Sequence, residues 1–305
     1  MLAVELARRH ESLRPLKQGD SAVVELAGLC ETVRHLVEER TALAQRLKAM
    51  LCQYFPAILD FFNDWTSPVA WRFLKQFPRP ENLARTRKNT LCTFLKANRI
   101  GLGPLWLERI EHAREAAAWP RPPDSLSLEV TALAAVAQLQ ALQAHIDKCD
   151  KLIAERTKAL PQAGLLRSLP GAGDRLAPAL TAIAALVADE ADSLQALRCL
   201  SGVAPVQNQS GKRNHAQIRR RCNKHWRNVL HLFAFSSMHY CTWAKAYFDL
   251  CRERGDSFAT ALRKLADKWL KIINRMLKAN EAYDDQRYVE SLRKKGSPIY
   301  ARLCG

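Results

Sequence analysis

The sequence predicts an all-α protein in which a long antiparallel helical arm precedes a compact helical domain. Two long stretches repeat apolar residues at heptad spacing, which is typical of paired helices. Glycine is scarce, with 12 residues in 305, and runs of β-branched residues are few, which favours helices over strands. A later stretch joins two apolar segments through a Pro-Gly-x-Gly turn, and this predicts the compact domain.

The first long helix is predicted from about residue 20 to residue 54. Its apolar positions alternate in steps of four and three for more than four repeats, with one interruption at Arg40. A helix with one such stripe buries it against a partner. The seam consists of Ala22, Leu26, Leu29, Val33, Leu36, Arg40, Leu43, Leu47, Met50 and Tyr54.

A second seam predicts a partner helix that starts at Asp124 or Ser125 and stops at Pro161. Between the two helices, residues 56–124 contain eight prolines, which break helices, so short helices joined by turns are expected at the far end of the hairpin. The stripes fit an intramolecular bundle and a dimerising arm equally well. The second seam consists of Leu128, Ala132, Ala135, Leu139, Leu142, Ile146, Cys149 and Ile153.

Beyond Pro161, the segment 165–189 places Pro170, Gly171 and Gly173 in a tight turn between two apolar helical stretches. This resembles a helix-hairpin-helix, in which glycines let the backbone approach a phosphate and the second helix offers free amides. We therefore predict DNA contacts at Gly171 and Gly173, with a plain helix-helix turn as the alternative. Further helices are predicted at 194–205, which ends at Gly202, and at 226–240 and 257–279.

The charge predicts a polyanionic partner. The formal net charge is +17 and the sequence pI is about 9.7. From residue 161 onward there are 24 basic against 12 acidic residues, compared with 23 against 18 before it. No uninterrupted run of about 18 apolar residues suggests a membrane span, and the start lacks a secretory signal. We expect a cytoplasmic protein that binds nucleic acid and no membrane.

The most basic stretch is PVQNQSGKRNHAQIRRRCNKHWR, residues 205–227, which has seven lysines and arginines, two histidines and no acid. Its cations are predicted to bind phosphates, in which case Ser210 is one more hydroxyl donor beside them. The alternative is that Ser210 attacks phosphorus, with arginines stabilising the charge. The predicted phosphate contacts are Lys212, Arg213, Arg219, Arg220, Arg221, Lys224 and Arg227.

Chemistry alone favours the first reading of Ser210. A serine hydroxyl needs a base, and only His215 and His225 are near in sequence. No carboxylate lies between Asp192 and Asp249. The basic stretch therefore supplies phosphate contacts but no evident activating carboxylate.

The nine cysteines predict reduced thiols rather than a disulfide framework or a metal site. They are scattered singly, without a Cys-x-x-Cys pair. The nearest metal-like spacing combines Cys222 and His225 with His239 and Cys241. Two isolated pairs among basic residues make a poor zinc site, so no metal ligand is assigned.

Four motifs in order resemble the C-terminal transposase domain of the insertion sequence 110/116/902 family: LLRSLPGAG, LRCLSGVAPVQNQSGK, RRRCNKHWRNVLH and ALRKLADKWLKIINRML. The stretch VEERTALAQRLKAMLCQYFP is similar to the helix that begins the family's coiled-coil arm. The resemblance thus covers nearly the whole chain.

The resemblance implies a site-specific DNA recombinase that moves an insertion sequence by cutting and rejoining strands. It matches Ser210 to the serine that joins covalently to DNA, and Gly211 to the glycine that lets the backbone turn beside it. Some family members use a structured guide RNA to choose donor and target. A dimer or tetramer is expected, because recombination holds two duplexes and the heptad seams offer an interface.

One departure from the family concerns its first domain, which resembles ribonuclease H and whose four carboxylates hold divalent metal. The start MLAVELARRHESLRPL looks like the helix after the last of those carboxylates. We therefore expect an N-terminally truncated chain, or a start codon assigned too late. No cofactor is expected in this chain, with Mg²⁺ only in the absent domain, so the chain should bind DNA and cleave little.

The predicted domains are a remnant helix at 1–19, an arm at 20–160 with a proline-rich insertion at 56–124, a DNA-binding domain at 161–280 and a C-terminal tail at 281–305. Two other functions remain open at this point. A non-catalytic regulatory remnant would keep the arginines and tolerate loss of Ser210. An RNA-binding scaffold would prefer structured RNA to duplex DNA.

Overall fold

A computed structural model describes residues 20–100, 103–116, 122–187, 193–210 and 213–304, and only the backbone at 105, 107, 116, 208–210 and 213–215. This part of the chain is helical except for one two-stranded ribbon, so the all-α prediction is confirmed. The chain divides into two compact units, Thr32–Cys149 and the combination of Met1–Glu31 with Asp150–Gly305. We call the first the arm unit and the second the basic unit.

The structure contains the predicted helices together with elements that were not predicted. In addition to a 3-10 helix at Pro56–Phe61, the elements are α1 (Ser21–Tyr54), α2 (Pro68–Gln76), α3 (Pro80–Arg85), α4 (Lys88–Ala97), α5 (Pro104–Ala116), α6 (Ser125–Lys158), α7 (Ala163–Arg167), α8 (Gly173–Ala185), α9 (Ser193–Leu200), β1 (Val206–Ser210), β2 (Arg213–Gln217), α10 (Lys224–Tyr240), α11 (Thr242–Glu253), α12 (Phe258–Ala279), α13 (Asp285–Lys294) and α14 (Pro298–Cys304).

Helices α1 and α6 contact each other within each unit. In the arm unit, Arg40 donates to Gln143 at 2.5 Å, so the seam's interruption is a polar contact between the two helices. In the basic unit, Arg156 pairs with Glu25 at 3.0 Å. Both contacts fit antiparallel helices, while the coiled-coil geometry stays a prediction.

The buried stripe of α1 includes five of the ten predicted seam positions: Leu26, Val33, Leu43, Leu47 and Tyr54. Residues next to seam positions are buried as well, because a helix with 3.6 residues per turn buries a wider face than a strict heptad. Val23, Cys30, Ala44 and Leu51 are buried, whereas Ala22, Leu29 and Met50 are only partly so.

The proline-rich insertion forms short helices, as predicted, and prolines begin them. Pro68, Pro80 and Pro104 are the first residues of α2, α3 and α5. Proline suits this position because its missing N–H would have no partner inside the helix. The aromatic core of the arm unit packs around them, with the rings of Phe61 and Phe73 centred 5.1 Å apart.

Helix α6 is the only described helix that could cross a membrane by length and composition, with a mean hydropathy of 1.3 over 18 residues. Part of its apolar surface has another explanation, because Ala132, Val136 and Leu139 are fully buried in the core of the arm unit. Leu126 and Val130 on the same helix are 62% and 60% exposed. Length and composition alone do not make α6 a membrane span.

The core of the basic unit centres on Trp269 of α12. Its ring lies 4.7 Å from that of Trp243 and 5.2 Å from that of Phe233, and its indole N–H donates to Ser237 Oγ at 2.8 Å. Helix α11, which carries Trp243, was not predicted. The segment 281–305, expected as a tail, forms helices α13 and α14.

Candidate nucleic-acid interface

The stretch that contains Ser210 forms a β-hairpin, which the sequence pattern had not predicted. Strands β1 and β2 are antiparallel, and Ser210 at the end of β1 pairs with Arg213 at the start of β2. The two connecting residues, Gly211 and Lys212, lie outside the described residues. Glycine in a two-residue connection is a hairpin signal, but the strands are almost wholly polar and lack the alternation that predicts strands.

The hairpin register groups the positions of interest. It pairs Ser210 with Arg213 and Asn208 with His215. Alternate positions along a strand, and paired positions across an antiparallel ladder, share a face of the sheet. Positions 208, 210, 213 and 215 therefore fall on one face of the ribbon. They include a serine, an arginine and a histidine.

The base of the hairpin is fixed by a glycine turn and Arg227. Gly202 has a φ of +67°, and a Cβ there would lie 2.5 Å from Arg227 Nη2 and 2.8 Å from Cys222 Sγ. Arg227 Nη2 donates to the Arg219 carbonyl and, at 2.6 Å, to Cys222 Sγ. Arg227, predicted to bind phosphate, thus holds the segment after β2 against the Gly202 turn.

The other predicted phosphate contacts differ in exposure. Arg220, Arg221 and Lys224 are exposed and follow β2 toward α10. Arg219 is half-buried, and its Nε donates to the Ala204 carbonyl at 3.4 Å. The arginines next to the hairpin therefore include exposed and internally bonded members, and their binding roles stay predictions.

The two glycines of the predicted helix-hairpin-helix are not equivalent. Gly171, with φ +78°, packs against α10, where a Cβ would lie 2.8 Å from Ser236 Oγ, and its carbonyl accepts from that hydroxyl. Gly173, with φ +56°, is exposed, and nothing lies within 4 Å of its Cβ direction. Of the two, only Gly173 leaves open space for a ligand, while a helix-hairpin-helix mode of binding remains untested.

A half-buried cluster on α10 and α12 was missed by the sequence analysis. His231 lies one helical turn after Arg227. Burial, followed by the charges of Arg263 and Arg227, lowers the pKa of His231 from 6.5 to about 4. Burial, followed by the charge of Arg227, also lowers the pKa of Arg263. The only sequence signal was the four-residue spacing of Arg227 and His231.

Two lysines of α12 form ion pairs with aspartates. Lys264 pairs with Asp256 at 2.6 Å, and Lys271 pairs with Asp267 at 3.1 Å. Lys268 instead lies over the ring of Tyr247, with its ammonium 4.5 Å from the ring centre.

Within the described ranges, no three His, Cys, Asp or Glu side chains come together as a group suited to a metal ion. Cys222 accepts a hydrogen bond from Arg227. Cys241 is buried 3.4 Å from Asp285, and burial raises the pKa of its thiol to about 12. Cys222 and Cys241 thus make contacts within the protein.

Comparison with known proteins places the hairpin inside a family domain. Residues 163–249 match a family model described as "Transposase IS116/IS110/IS902 family". Residues 2–56 match a second model, named for the DEDD transposases of IS110 and described as "Transposase". These matches identify the class of protein as a transposase.

Similar proteins from insertion elements support the same family. A "Mini-circle putative transposase for IS117" of Streptomyces coelicolor is 26% identical over 90% of this chain and 68% of its own length. An "Insertion element IS900 uncharacterized 42 kDa protein" of Mycobacterium paratuberculosis is 25% identical over 92% of this chain and 71% of its own. An IS116 protein of Streptomyces clavuligerus, described as uncharacterized, is 26% identical over 89% and 68%. The chain belongs to the IS110/IS116/IS902 family of transposases.

Proposed function

We propose that this protein binds DNA and uses Ser210 to cleave and rejoin strands of its insertion element. The observation that carries the proposal is the position of Ser210 at the tip of a hairpin within the family-matched segment 163–249. A hydroxyl at the end of a narrow ribbon can approach a phosphate that a flat surface could not reach. Exposed cations follow the ribbon and can bind neighbouring phosphates.

The proposed reaction is a reversible phosphoryl transfer. The Ser210 oxygen attacks a backbone phosphorus, the strand's ester oxygen leaves as a free hydroxyl, and a serine–DNA phosphodiester forms. The serine proton passes to a base, for which the register favours His215, and the protonated base then supplies a proton to the leaving oxygen. Attack by a strand hydroxyl on the same phosphorus restores Ser210 and rejoins DNA, so no external energy source is needed. Arg213 shares the face and would stabilise the phosphoryl oxygens.

Divalent metal enters the proposal through the family resemblance, which implies Mg²⁺ held by carboxylates. Bound Mg²⁺ would stabilise charge at the reacting phosphate. The described residues contain no group suited to hold it. We expect DNA binding itself to need no Mg²⁺, because lysine and arginine contacts with phosphates supply it.

Covalent capture tests the proposal. The chain is incubated with labelled element-end DNA carrying a nick, with Mg²⁺, and adducts are separated on a denaturing gel. We expect a small adduct that Ser210→Ala abolishes and Ser201→Ala keeps, since Ser201 is buried and its hydroxyl donates to the Leu197 carbonyl. An adduct that survives Ser210→Ala contradicts the assignment. If DNA binds but no adduct forms, even with a relative's carboxylate domain added, the function is a non-catalytic one.

The salt dependence of binding tests the electrostatic part. If about five cations contact phosphates, the slope of log K against log salt should be roughly −4 to −5. The same titration with structured RNA distinguishes a guide-RNA complex or an RNA scaffold from a duplex-DNA binder. Tighter binding to RNA than to duplex DNA at equal salt would favour the RNA-binding alternative.

We further propose a cytoplasmic homodimer or homotetramer, because two duplexes must be held together. Exposed apolar residues support an interface between copies: Leu126 and Val130 lie one turn apart on α6. Light scattering of the wild type and of Leu126→Glu with Val130→Glu tests this. A wild-type monomer, with and without DNA, would remove the proposal.

A further inference from the structure

A cavity of about 540 Å³ lies in the basic unit, between the base of the hairpin and α12. Pro205 and Ile218 form the side nearest the ribbon, Arg263 and Lys268 form the opposite side, and Tyr247 of α11 also lines it. Ligand pockets commonly have volumes of roughly 300–1,000 Å³. This cavity is therefore large enough for a group of several atoms.

The charge of the lining is strongly positive. Five cations and one carboxylate contribute to it: Arg198, Arg263, Lys264, Lys268, Lys271 and Asp267. Asp267 is shared by Arg198 at 2.5 Å and Lys271 at 3.1 Å. Lys264 pairs with Asp256. Among the described ion pairs none involves Arg263 or Lys268. Lys268 lies over the Tyr247 ring, and Asp267 favours its charge without forming an ion pair with it.

These two cations are partly buried at an electrostatic cost. Arg263 Nε is buried and has no hydrogen-bond partner among the described residues, and its guanidinium is close enough to Arg227 for the two charges to repel. Burial, followed by the charge of Lys271, lowers the pKa of Lys268. Uncompensated buried charge destabilises a fold unless a counter-charge binds. A bound anion would offset this cost.

We propose that this cavity binds one backbone phosphate of the nucleic-acid strand that is presented to Ser210. The inference rests on the proposed function and adds a contact to it. Val206 and Gln217 pair at the base of the ribbon, four residue steps from the Ser210–Arg213 pair. At about 3.3 Å per residue the cavity is roughly 13 Å from the tip. The proposed phosphate contact is therefore roughly 13 Å from the phosphate that Ser210 attacks.

Thermal unfolding with inorganic phosphate tests the anion site without DNA. The melting temperature of the full chain is measured in phosphate and in chloride at matched ionic strength. We expect phosphate at tenfold its dissociation constant to raise the melting temperature by roughly 2–4 °C. Arg263→Gln with Lys268→Gln should lose this rise. Arg275→Gln with Lys278→Gln, the matched pair on α12 outside the cavity, should keep it.

Misfolding of the cavity variant is distinguished by its behaviour in chloride. Removing two unpaired cations should leave the melting temperature the same or higher. Phosphate also stabilises proteins by exclusion from their surfaces, but that effect acts on all variants alike. Equal phosphate responses in the wild type and both variants would overturn the site.

DNA titrations then distinguish a strand phosphate from free phosphate. The cavity variant should bind DNA more weakly, and its slope of log K against log salt should be smaller by about 1. The control variant should keep more of the wild-type affinity and more of the wild-type slope. Equal losses in both variants would mean a general basic surface and would overturn the inference. Unchanged DNA binding with a lost phosphate response would mean a free-phosphate site, which also overturns it. Ser210-dependent adducts that form equally in all variants would leave the proposed function intact while contradicting the cavity's role.

Discussion

At the scale of single residues, the hairpin depends on contacts that only small side chains allow. Gly202 and Gly171 both have positive φ, and each meets another segment where a Cβ would stand. The first contacts the Arg227 side chain, and the second contacts α10. These glycines join the hairpin base and the 170–173 turn to α10.

Gly171→Ala should therefore lower stability substantially. The left-handed backbone alone costs an alanine about 1–2 kcal/mol, and the contact with Ser236 adds overpacking of about 1–3 kcal/mol. Gly173→Ala has the same backbone strain but open space, so it should cost only the first amount. Urea unfolding of both variants measures the difference. Equal losses of stability would contradict the packing seen at Gly171.

His231 gives a pH prediction. Its pKa in the folded chain is about 4, below the ordinary 6.5, because of burial and two neighbouring arginines. Between those values the unfolded chain binds a proton that the folded chain does not, so lowering the pH through this window destabilises the fold. Melting temperatures of His231→Gln should fall less steeply from pH 6.5 to 4 than those of the wild type. Exposed His239→Gln is the control, and parallel wild-type and His231→Gln curves would contradict the assignment.

Sequence reasoning found the residue types of the basic region but not their contacts. Arg227 and Arg220 are equivalent in a count of charges, yet one is tied to Cys222 and the other is exposed. The difference arises from tertiary packing around Gly202, for which a linear pattern has no signal. Arg263 and His231 were missed because they lie on α12 and α10, which are distant in sequence and come together only in the folded chain.

At the scale of secondary structure, the caps determine where the basic helices begin. Asn223 accepts a hydrogen bond from the Trp226 amide at 3.1 Å and caps α10 immediately after the arginine cluster. Ser257 caps α12 in the same way through the Thr260 amide. Caps of this kind fix the direction in which the following helix leaves the loop.

Asn223→Ala should destabilise the chain by about 0.5–2 kcal/mol through loss of the cap. Asn223→Asp should keep most of the stability, because a carboxylate accepts the same amide and suits a helix N-terminus. Thermal unfolding of both variants tests the cap. If Asn223→Ala matches the wild type in stability, its side chain is not a cap, and a role in binding becomes the better explanation.

Helices were easier to predict than the ribbon for a physical reason. The predicted starts and ends of α1, α6 and α12 lie within about three residues of the structure, since apolar periodicity records which face is buried. The ribbon is mostly polar, and its pairing energy is in backbone hydrogen bonds that leave no apolar pattern. Whether a seam residue of α1 or its neighbour is buried likewise depends on the residues that pack against the helix.

At the scale of the whole molecule, the DNA-binding features and the aromatic core belong to different units of the chain. The basic unit contains the hairpin, the family-matched segment 163–249 and the cation-lined cavity. The arm unit contains an aromatic core built on short proline-initiated helices. The net charge of +17 should therefore act mainly through the basic unit in DNA binding.

The most direct test of the central claim is to identify the amino acid that joins to DNA. The adduct trapped on nicked element-end DNA is digested with trypsin and fragmented by mass spectrometry. The expected peptide is CLSGVAPVQNQSGK, which contains both Ser201 and Ser210, so fragment masses decide between them. We predict a nucleotide on Ser210. A nucleotide on Ser201, or on a residue outside the hairpin, would contradict it.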